Sequence, residues 1–336
     1  MPRRNQPALT VEEILKGTRF GRTQSVGHME VIPILDDGGA DDTFAPPDFG
    51  VSNHNYGEVD VTNESQDRPT ILPTGTGWVT QQRAQDHAVP SAKLIKPGES
   101  KHINTAMCIE ETQGGYIQGA KEFLVLPASL RAKALSTRND VGYSRLWDAI
   151  GTFNNDLGVS RGGGHLVRFL KEYETQLDEF VAEFELVPDQ LGAVILIGGK
   201  VVGVERAPNV PFWERLWVPL VRVCYGSLAI KAGRMLGDTP SATRTMLNVK
   251  EKSLAGIRLA LRDATAKAEG LIEAAFNEVR STPLLYAGAA EGKLDGAELF
   301  TVANTRLAGQ IVLHSGESLK HSGESLKYVS LCAAGV

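Results

Sequence analysis

Cysteine is scarce in this chain, and no two cysteines form a paired motif. Three of them, Cys108, Cys224 and Cys332, are spread over 336 residues. An odd number of widely separated cysteines argues against a disulfide framework, and the lack of a CxxC pair argues against a structural zinc site. We therefore expect a reducing, cytoplasmic location and no metal centre, and no motif indicates a cofactor.

Long apolar runs and an excess of positive charge are lacking as well. A membrane-spanning helix needs about twenty consecutive apolar residues, but the most apolar segment, 211–230, is interrupted by Glu214, Arg215 and Arg222. The amino terminus is basic without an apolar core of signal-peptide length. Because the net charge is −5, no general attraction to nucleic acid is expected. The sequence predicts a soluble protein with neither a membrane nor a nucleic-acid partner.

A recognised catalytic signature is missing too. Residues 158–162 spell GxSxG, but a nucleophile elbow needs a strand before the serine, and the pattern before Ser160 is helical. We interpret Ser160 as a linker or capping residue. The acidic loop 36–42 lacks the ligand spacing of a calcium-binding loop, so we interpret it as a solvated loop.

The hydrophobic pattern changes its period along the chain. Short alternating runs fill 58–127, as in antiparallel strands with one wet face. A helical period follows over 129–184, and segment 192–205 contains two β-rich runs joined by Gly198 and Gly199. Further helices are predicted over 211–232, with a kink at Pro219, and over 241–280, before closing strands. This order predicts an α+β fold in which mostly antiparallel β layers pack with a helical layer.

Three regions are predicted from these changes. Residues 1–23 form an arm with a short helix, since Thr10 and Glu13 have the spacing of a capping box. Residues 24–232 form the α+β core. Residues 233–336 add a long helix and strands that pack on the same core, and the tandem HSGESLK copies at 314–327 are interpreted as a surface loop.

A polar stripe follows the strand that begins near Thr74. Gln81, Arg83, Gln85 and His87 alternate with other residues and therefore share one face of a strand. Two amides, a guanidinium and an imidazole are suited to a diphosphate, a carboxylate or a ribose, and Arg83 offers bidentate contact. The alternative is an ordinary solvated outer face.

Cys108 and Glu110 lie on the next predicted strand, 102–111, and by parity they share a face. On that strand His102 would be too far from Cys108 to form a dyad, whereas His87 on a neighbouring strand is within geometric reach. The candidate catalytic residues are therefore Glu110, Cys108 and His87. The alternative is a small buried thiol, which is the commoner fate of a lone cysteine.

Several segments together resemble the ARPP-1 family. They are VDVTN at 59–63, the Gln81-Gln82-Arg83 and Cys108-Ile109-Glu110 elements, the helix with Trp147, the hairpin 192–205 and the aromatic helix 212–225. The resemblance covers about 24–230 plus a closing strand. It implies a place in NAD and ADP-ribose metabolism, because the family is named for association with ADP-ribosylglycohydrolase and rhodanese-phosphatase proteins. It also implies a site at Gln81, Arg83, Cys108 and Glu110, and structural roles for Trp147, Trp217 and Tyr225.

Two hypotheses follow. In the first, the chain binds an ADP-ribose-like or NAD-like anionic metabolite, either without reaction or as the substrate of an enzyme. Arg83 then holds the anion, Gln81 and Gln85 read hydroxyl or amide groups, and Glu110 is the general base. In the second, the chain is a structural protein that assembles into a homo-oligomer or filament through its aromatic helix, its long helix and the tandem loop. The residues leave open whether the chain is an enzyme.

Overall fold

The computed structural model describes residues 7–36, 42–80, 86–112, 121–237, 254–314 and 326–333. The strands are β1 (Pro7–Thr10), β2 (Arg19–Phe20), β3 (Gln24–Val26), β4 (Met29–Leu35), β5 (Phe49–Asn55), β6 (Glu58–Asn63), β7 (Thr70–Leu72), β8 (Thr76–Thr80), β9 (His87–Ala88), β10 (Lys93–Ile95), β11 (Ser100–Ile103), β12 (Met107–Cys108), β13 (Lys121–Val125), β14 (Gln190–Ile197), β15 (Lys200–Arg206), β16 (Pro283–Tyr286), β17 (Gly292–Leu294), β18 (Ala297–Ala303), β19 (Leu307–His314) and β20 (Leu326–Ala333). The helices are α1 (Val11–Ile14), α2 (Ala128–Ser136), α3 (Trp147–Asp156), α4 (Leu166–Glu172), α5 (Glu174–Glu183), α6 (Val210–Pro219), α7 (Gly226–Leu236) and α8 (Leu254–Arg280), and a π-helical turn (Leu220–Tyr225) joins α6 to α7.

The largest layer is an eleven-stranded antiparallel sheet. Its path runs β1-β16-β18-β19-β20-β15-β14-β4-β2, with β17 added on β18 and β3 on β4. Strands from the beginning, middle and end of the chain therefore share one sheet. The capping box predicted at Thr10 and Glu13 is present at the start of α1, which follows the edge strand β1 directly.

Helices cover both faces of this sheet. On β14, Ala193 and Ile195 pack into the core with the aromatic residues of α6, whereas Val194 and Leu196 pack on the other side with Ile272 of α8. This alternation follows from the two-residue period of a strand. The α+β class with antiparallel sheets against helices, as predicted, is confirmed.

The described residues also form three smaller antiparallel sheets. They have the orders β10-β7, β11-β6-β5 and β12-β9-β8-β13. The last of these is the layer that carries the predicted site, and α2 to α5 pack against its inner face through a core that includes Leu124, Ile109 and Phe169.

The predicted hairpin and aromatic helix are both present. Gly198 and Gly199 have φ angles of 56° and 76° in the turn between β14 and β15, the positive values that such a turn requires. Phe212, Trp213 and Trp217 are buried in the core. The kink expected at Pro219 takes the form of the π-helical turn, which begins at the next residue, where a proline that donates no amide hydrogen bond disturbs the regular α-helical pattern.

Three predicted continuous elements are wrong. The strand expected to carry Gln81, Arg83, Gln85 and His87 on one face is not continuous, because His87 lies on β9, which pairs antiparallel with β8 and places His87 opposite Trp78. The strand expected over 102–111 is broken, because β11 and β12 belong to different sheets and Asn104 and Thr105 form a turn between them. His102 therefore does not share a strand with Cys108, and its Nδ1 lies 2.8 Å from Asp60 Oδ1 at the surface. The helix expected over 165–184 is interrupted at Tyr173, where α4 ends before α5 begins.

Some predictions fall outside the described residues. Gln81, Arg83 and Gln85 do so, as does most of the tandem heptapeptide, whose copies connect the paired strands β19 and β20. Among the described helices, none is both long and apolar enough to cross a membrane.

Candidate functional site

A row of four side chains crosses the sheet formed by β13, β8, β9 and β12. Phe123 pairs with Trp78, Trp78 pairs with His87, and His87 pairs with Cys108. Residues directly opposite each other in neighbouring strands point to the same face. The structure therefore brings His87 and Cys108 together as strand partners, beside two aromatic residues.

The Cys108 thiol is buried and held by local contacts. Its Sγ donates to the Glu110 carbonyl oxygen at 3.0 Å, and burial raises the pKa of the thiol to about 11. His87 Nε2 accepts from the Gly57 amide at 3.4 Å. At neutral pH the sulfur is therefore a neutral thiol, the less nucleophilic form.

The Glu110 side chain points at the start of α4. Its Oε1 accepts from the Val167 amide at 2.6 Å, and its Oε2 lies 3.0 Å from His165 Nδ1. Burial raises the pKa of Glu110, and the hydrogen bonds from Val167 and His165 act in the opposite direction. Because the first amides of a helix lack intrahelical acceptors, this carboxyl group caps α4 from a distant segment. The general-base role stays a prediction.

His165 is a site residue that the sequence reasoning missed. It is buried, forms an isolated bridge with Glu110, and precedes the first residue of α4. A histidine between three glycines and a helix was the available signal, but nothing local pointed to Glu110 as its partner.

A surface groove meets the row at Phe123. One cavity of about 250 Å³ lies between the start of β5 and α6, and Phe49, Trp78, Phe123 and Arg215 are among its lining residues. A second cavity of about 430 Å³ shares Phe123 and follows α5 and the π-helical turn. We call these two cavities the Phe123 groove. The larger of the two has a volume in the range of small-molecule sites, which are mostly apolar with a few placed polar groups.

Two arginines stand on the rim of the Phe123 groove, each beside an aspartate. Arg215 Nη2 lies 3.2 Å from Asp48 Oδ2, and Arg222 Nε lies 2.6 Å from Asp178 Oδ1. The two aspartate side chains are 49% and 58% exposed. The Arg215 side chain is itself 61% exposed, and a pair so exposed is weak in water, so Arg215 can turn toward a bound anion at low cost. Arg222 is only 16% exposed and is held more firmly beside Asp178.

A buried ionic cluster fixes the π-helical turn behind the groove. Glu205 Oε1 accepts from Arg131 Nη2 and from the Tyr225 hydroxyl, both at 2.6 Å. All three side chains are almost fully buried. Gly203 permits the contact, because a Cβ there would lie 2.2 Å from the Tyr225 hydroxyl oxygen. Single-turn π-helices are frequent at functional sites, and this one contributes Arg222 and Val223 to the groove lining.

No group of three or more His, Cys, Asp or Glu residues able to hold a metal ion occurs within the described ranges.

The comparisons with known proteins agree with the resemblance. The model of the ARG and Rhodanese-Phosphatase-superfamily-associated Protein domain, ARPP-1, matches residues 17–282. Searches of curated proteins and of solved structures found no match. The matched range includes the row of β8, β9, β12 and β13, the Phe123 groove and the buried ionic cluster. The chain belongs to the ARPP-1 family.

Proposed function

We propose that this protein binds an anionic nucleotide-type metabolite of the ADP-ribose or NAD class in the Phe123 groove. The observation that carries the proposal is the position of Phe123. It lies at the junction of two cavities whose rims present Arg215 and Arg222. An aromatic ring beside two guanidinium groups matches a ligand with a planar base and a diphosphate.

Each cavity is lined by an arginine together with its aspartate partner, Arg215 with Asp48 and Arg222 with Asp178, so a bound anion must compete with the aspartate for the guanidinium group. An anion that contacts Arg215 or Arg222 replaces an exposed aspartate as the partner of the guanidinium. Planar guanidinium groups bind phosphate oxygens in a two-point geometry that lysine does not offer. The diphosphate is thus expected near the rim, with the base over Phe123.

Chain connectivity adds support from the polar stripe. Trp78 lines the groove, and β8, which carries it, ends at Thr80. Gln81 is the next residue, and Arg83 follows two positions later. The stripe thus begins three residues along the chain from a groove-lining tryptophan.

The proposal is tested by calorimetric titration and thermal unfolding with ADP-ribose and with NAD. Loss of one charge-assisted contact costs about 1.5–3 kcal/mol, so Arg215→Ala and Arg222→Ala should each weaken binding about tenfold or more. Arg280→Ala is the matched control, since this partly exposed arginine pairs with Glu12 beside another cavity. Equal affinity in all four proteins, or no thermal shift at about millimolar ligand, contradicts the proposal.

The self-assembly alternative keeps its own test. Its aromatic helix contributes Phe212, Trp213 and Trp217 to the core of the chain itself, so a contact between copies would have to use other surfaces. Light scattering across micromolar concentrations separates the hypotheses, because a constant monomeric mass argues against a homo-oligomer.

A further inference from the structure

Lys93 occupies an unusual place for a lysine. It begins β10, its side chain is partly buried, and its Nζ donates to the Ser91 hydroxyl oxygen at 3.0 Å. Ser91 itself is buried. Within the described part of the chain, no carboxylate oxygen lies within the 4.0 Å of an ion pair with Lys93. Charged lysine heads are seldom removed from water without a partner.

The acidic group that acts on Lys93, Glu291, accepts hydrogen bonds from other donors. Glu291 Oε1 accepts from Arg138 Nη2 at 2.6 Å and from the Thr301 hydroxyl at 2.8 Å. Its Oε2 accepts from Gln310 Nε2 at 3.2 Å. The carboxylate therefore attracts Lys93 only through space, while its hydrogen-bonding capacity is directed to Arg138, Thr301 and Gln310.

Positive charge is in excess around Lys93. Burial is the largest cause that lowers the pKa of Lys93, and the positive charges of Lys101 and Arg138 lower it further. The negative charge of Glu291 acts in the opposite direction. Lys101 pairs with Glu99 at 3.5 Å. Among the described residues, the charged groups that act on Lys93 are therefore two cations, Lys101 and Arg138, and one carboxylate, Glu291.

The frame around this cluster is rigid. Gln310 is fully buried, and its Oε1 accepts from the Thr74 hydroxyl at 2.7 Å and from the Ala92 amide at 2.5 Å. Ala92 lies between Ser91 and Lys93 in the chain. The backbone that carries both side chains is therefore fixed to β19, as a preorganised binding site requires.

We propose that Lys93 and Ser91 form a binding site for a small oxyanion, a phosphoryl or carboxylate group, with Arg138 and Lys101 supplying the surrounding positive field. The ammonium has three donors and uses one on Ser91, and the serine hydroxyl retains its own proton to donate. The bound anion would supply the negative charge that the cluster lacks. None of these residues lines the Phe123 groove, so the inference is independent of the proposed function.

The test uses the full chain and inorganic phosphate, with acetate as a second arm to distinguish a phosphoryl from a carboxylate preference. Sodium chloride at equal ionic strength is the reference, because general screening acts on every surface charge. The wild type is expected to bind at least one anion by calorimetric titration, and Lys93→Met should weaken that binding about tenfold or more. Ser91→Ala should weaken it to a smaller degree.

Lys293→Met is the matched control. This lysine lies on β17, is 71% exposed and pairs with Glu298, so its loss removes the same charge from a neighbouring strand. Binding in this variant should stay within about twofold of wild type. An equal loss of anion affinity in Lys93→Met and Lys293→Met would overturn the proposal.

A measurement on the unsubstituted protein covers the case in which Lys93→Met does not fold. Selective ¹³C-lysine labelling leaves the ammonium and its three donors unchanged, and NMR of the lysine Cε signals then follows the titration of each lysine. Phosphate or acetate should raise the pKa of Lys93, because a bound anion favours the ammonium form. A Lys93 titration that is identical in chloride, phosphate and acetate overturns the proposal.

Discussion

Replacing Arg131 with methionine should be among the most destabilising single changes in this chain. The Arg131 and Glu205 side chains are 2% and 3% exposed, and Arg131 Nη2 lies 2.6 Å from Glu205 Oε1. Removing the arginine leaves a buried carboxylate without its cation. Breaking such a pair on one side costs about 3–5 kcal/mol, a large part of a typical total stability of about 5–15 kcal/mol.

A surface pair of the same length gives the control. Arg306 Nη1 also lies 2.6 Å from its partner, Glu278 Oε2, but these side chains are 50% and 59% exposed. Arg306→Met should therefore change the free energy of unfolding by about 1 kcal/mol or less. Because the charged atoms are 2.6 Å apart in both pairs, a difference between the two variants in the free energy of unfolding reports the effect of burial.

Urea unfolding followed by far-UV circular dichroism and tryptophan fluorescence measures both effects. The double variant Arg131→Met with Glu205→Leu removes both charges, and replacing a whole buried pair by apolar groups is often neutral. The two changes should therefore cost about 1–3 kcal/mol less together than the sum of their separate costs. Additive costs, or a loss below about 1 kcal/mol for Arg131→Met, would refute the assigned role of the pair.

Three further outcomes are expected. Native Cys108, with its pKa raised to about 11, should resist iodoacetamide at neutral pH in a mass-spectrometric assay, and labelling as fast as in unfolded protein would contradict this. The folded-state pKa of Glu110 is raised above its ordinary 4.5, so its neutral form contributes stability at low pH that is lost as pH rises through that pKa. Urea unfolding should then show the stability of Glu110→Gln rising relative to that of wild type as the pH increases above 4.5, and a difference that does not change with pH would contradict this. Gly203→Ala should cost about 1–3 kcal/mol by the same method, because the new Cβ meets the Tyr225 hydroxyl, whereas Gly270→Ala in α8, with open space around it, should be neutral or stabilising.

Local chemistry determined what the sequence could predict. The capping box at Thr10 needs only residues three apart, and the turn at Gly198 and Gly199 needs only two glycines between β-rich runs. The alternating and helical periods were enough to predict an α+β fold with antiparallel sheets. The family was recognisable for the same reason, since its segments can be read in order along the chain.

Contacts between residues that are far apart in the sequence could be identified only from the tertiary structure. Pairing of β12 with β9 brought Cys108 opposite His87, a contact that the sequence allowed, whereas the turn at Asn104 removed His102 from that strand. The raised pKa of the thiol came from burial, which depends on the surrounding layers.

The buried ionic cluster shows the limit most clearly. Arg131 and Glu205 are 74 residues apart, and Glu110 and His165 are 55 apart. The pattern of residues within one strand or helix cannot predict such a pairing. Charged residues are mostly exposed, so the sequence alone gives no reason to expect that these four are buried. By itself, the sequence determined the class of the fold and the kind of side chains near the site, and the packing of the layers decided which of those side chains meet.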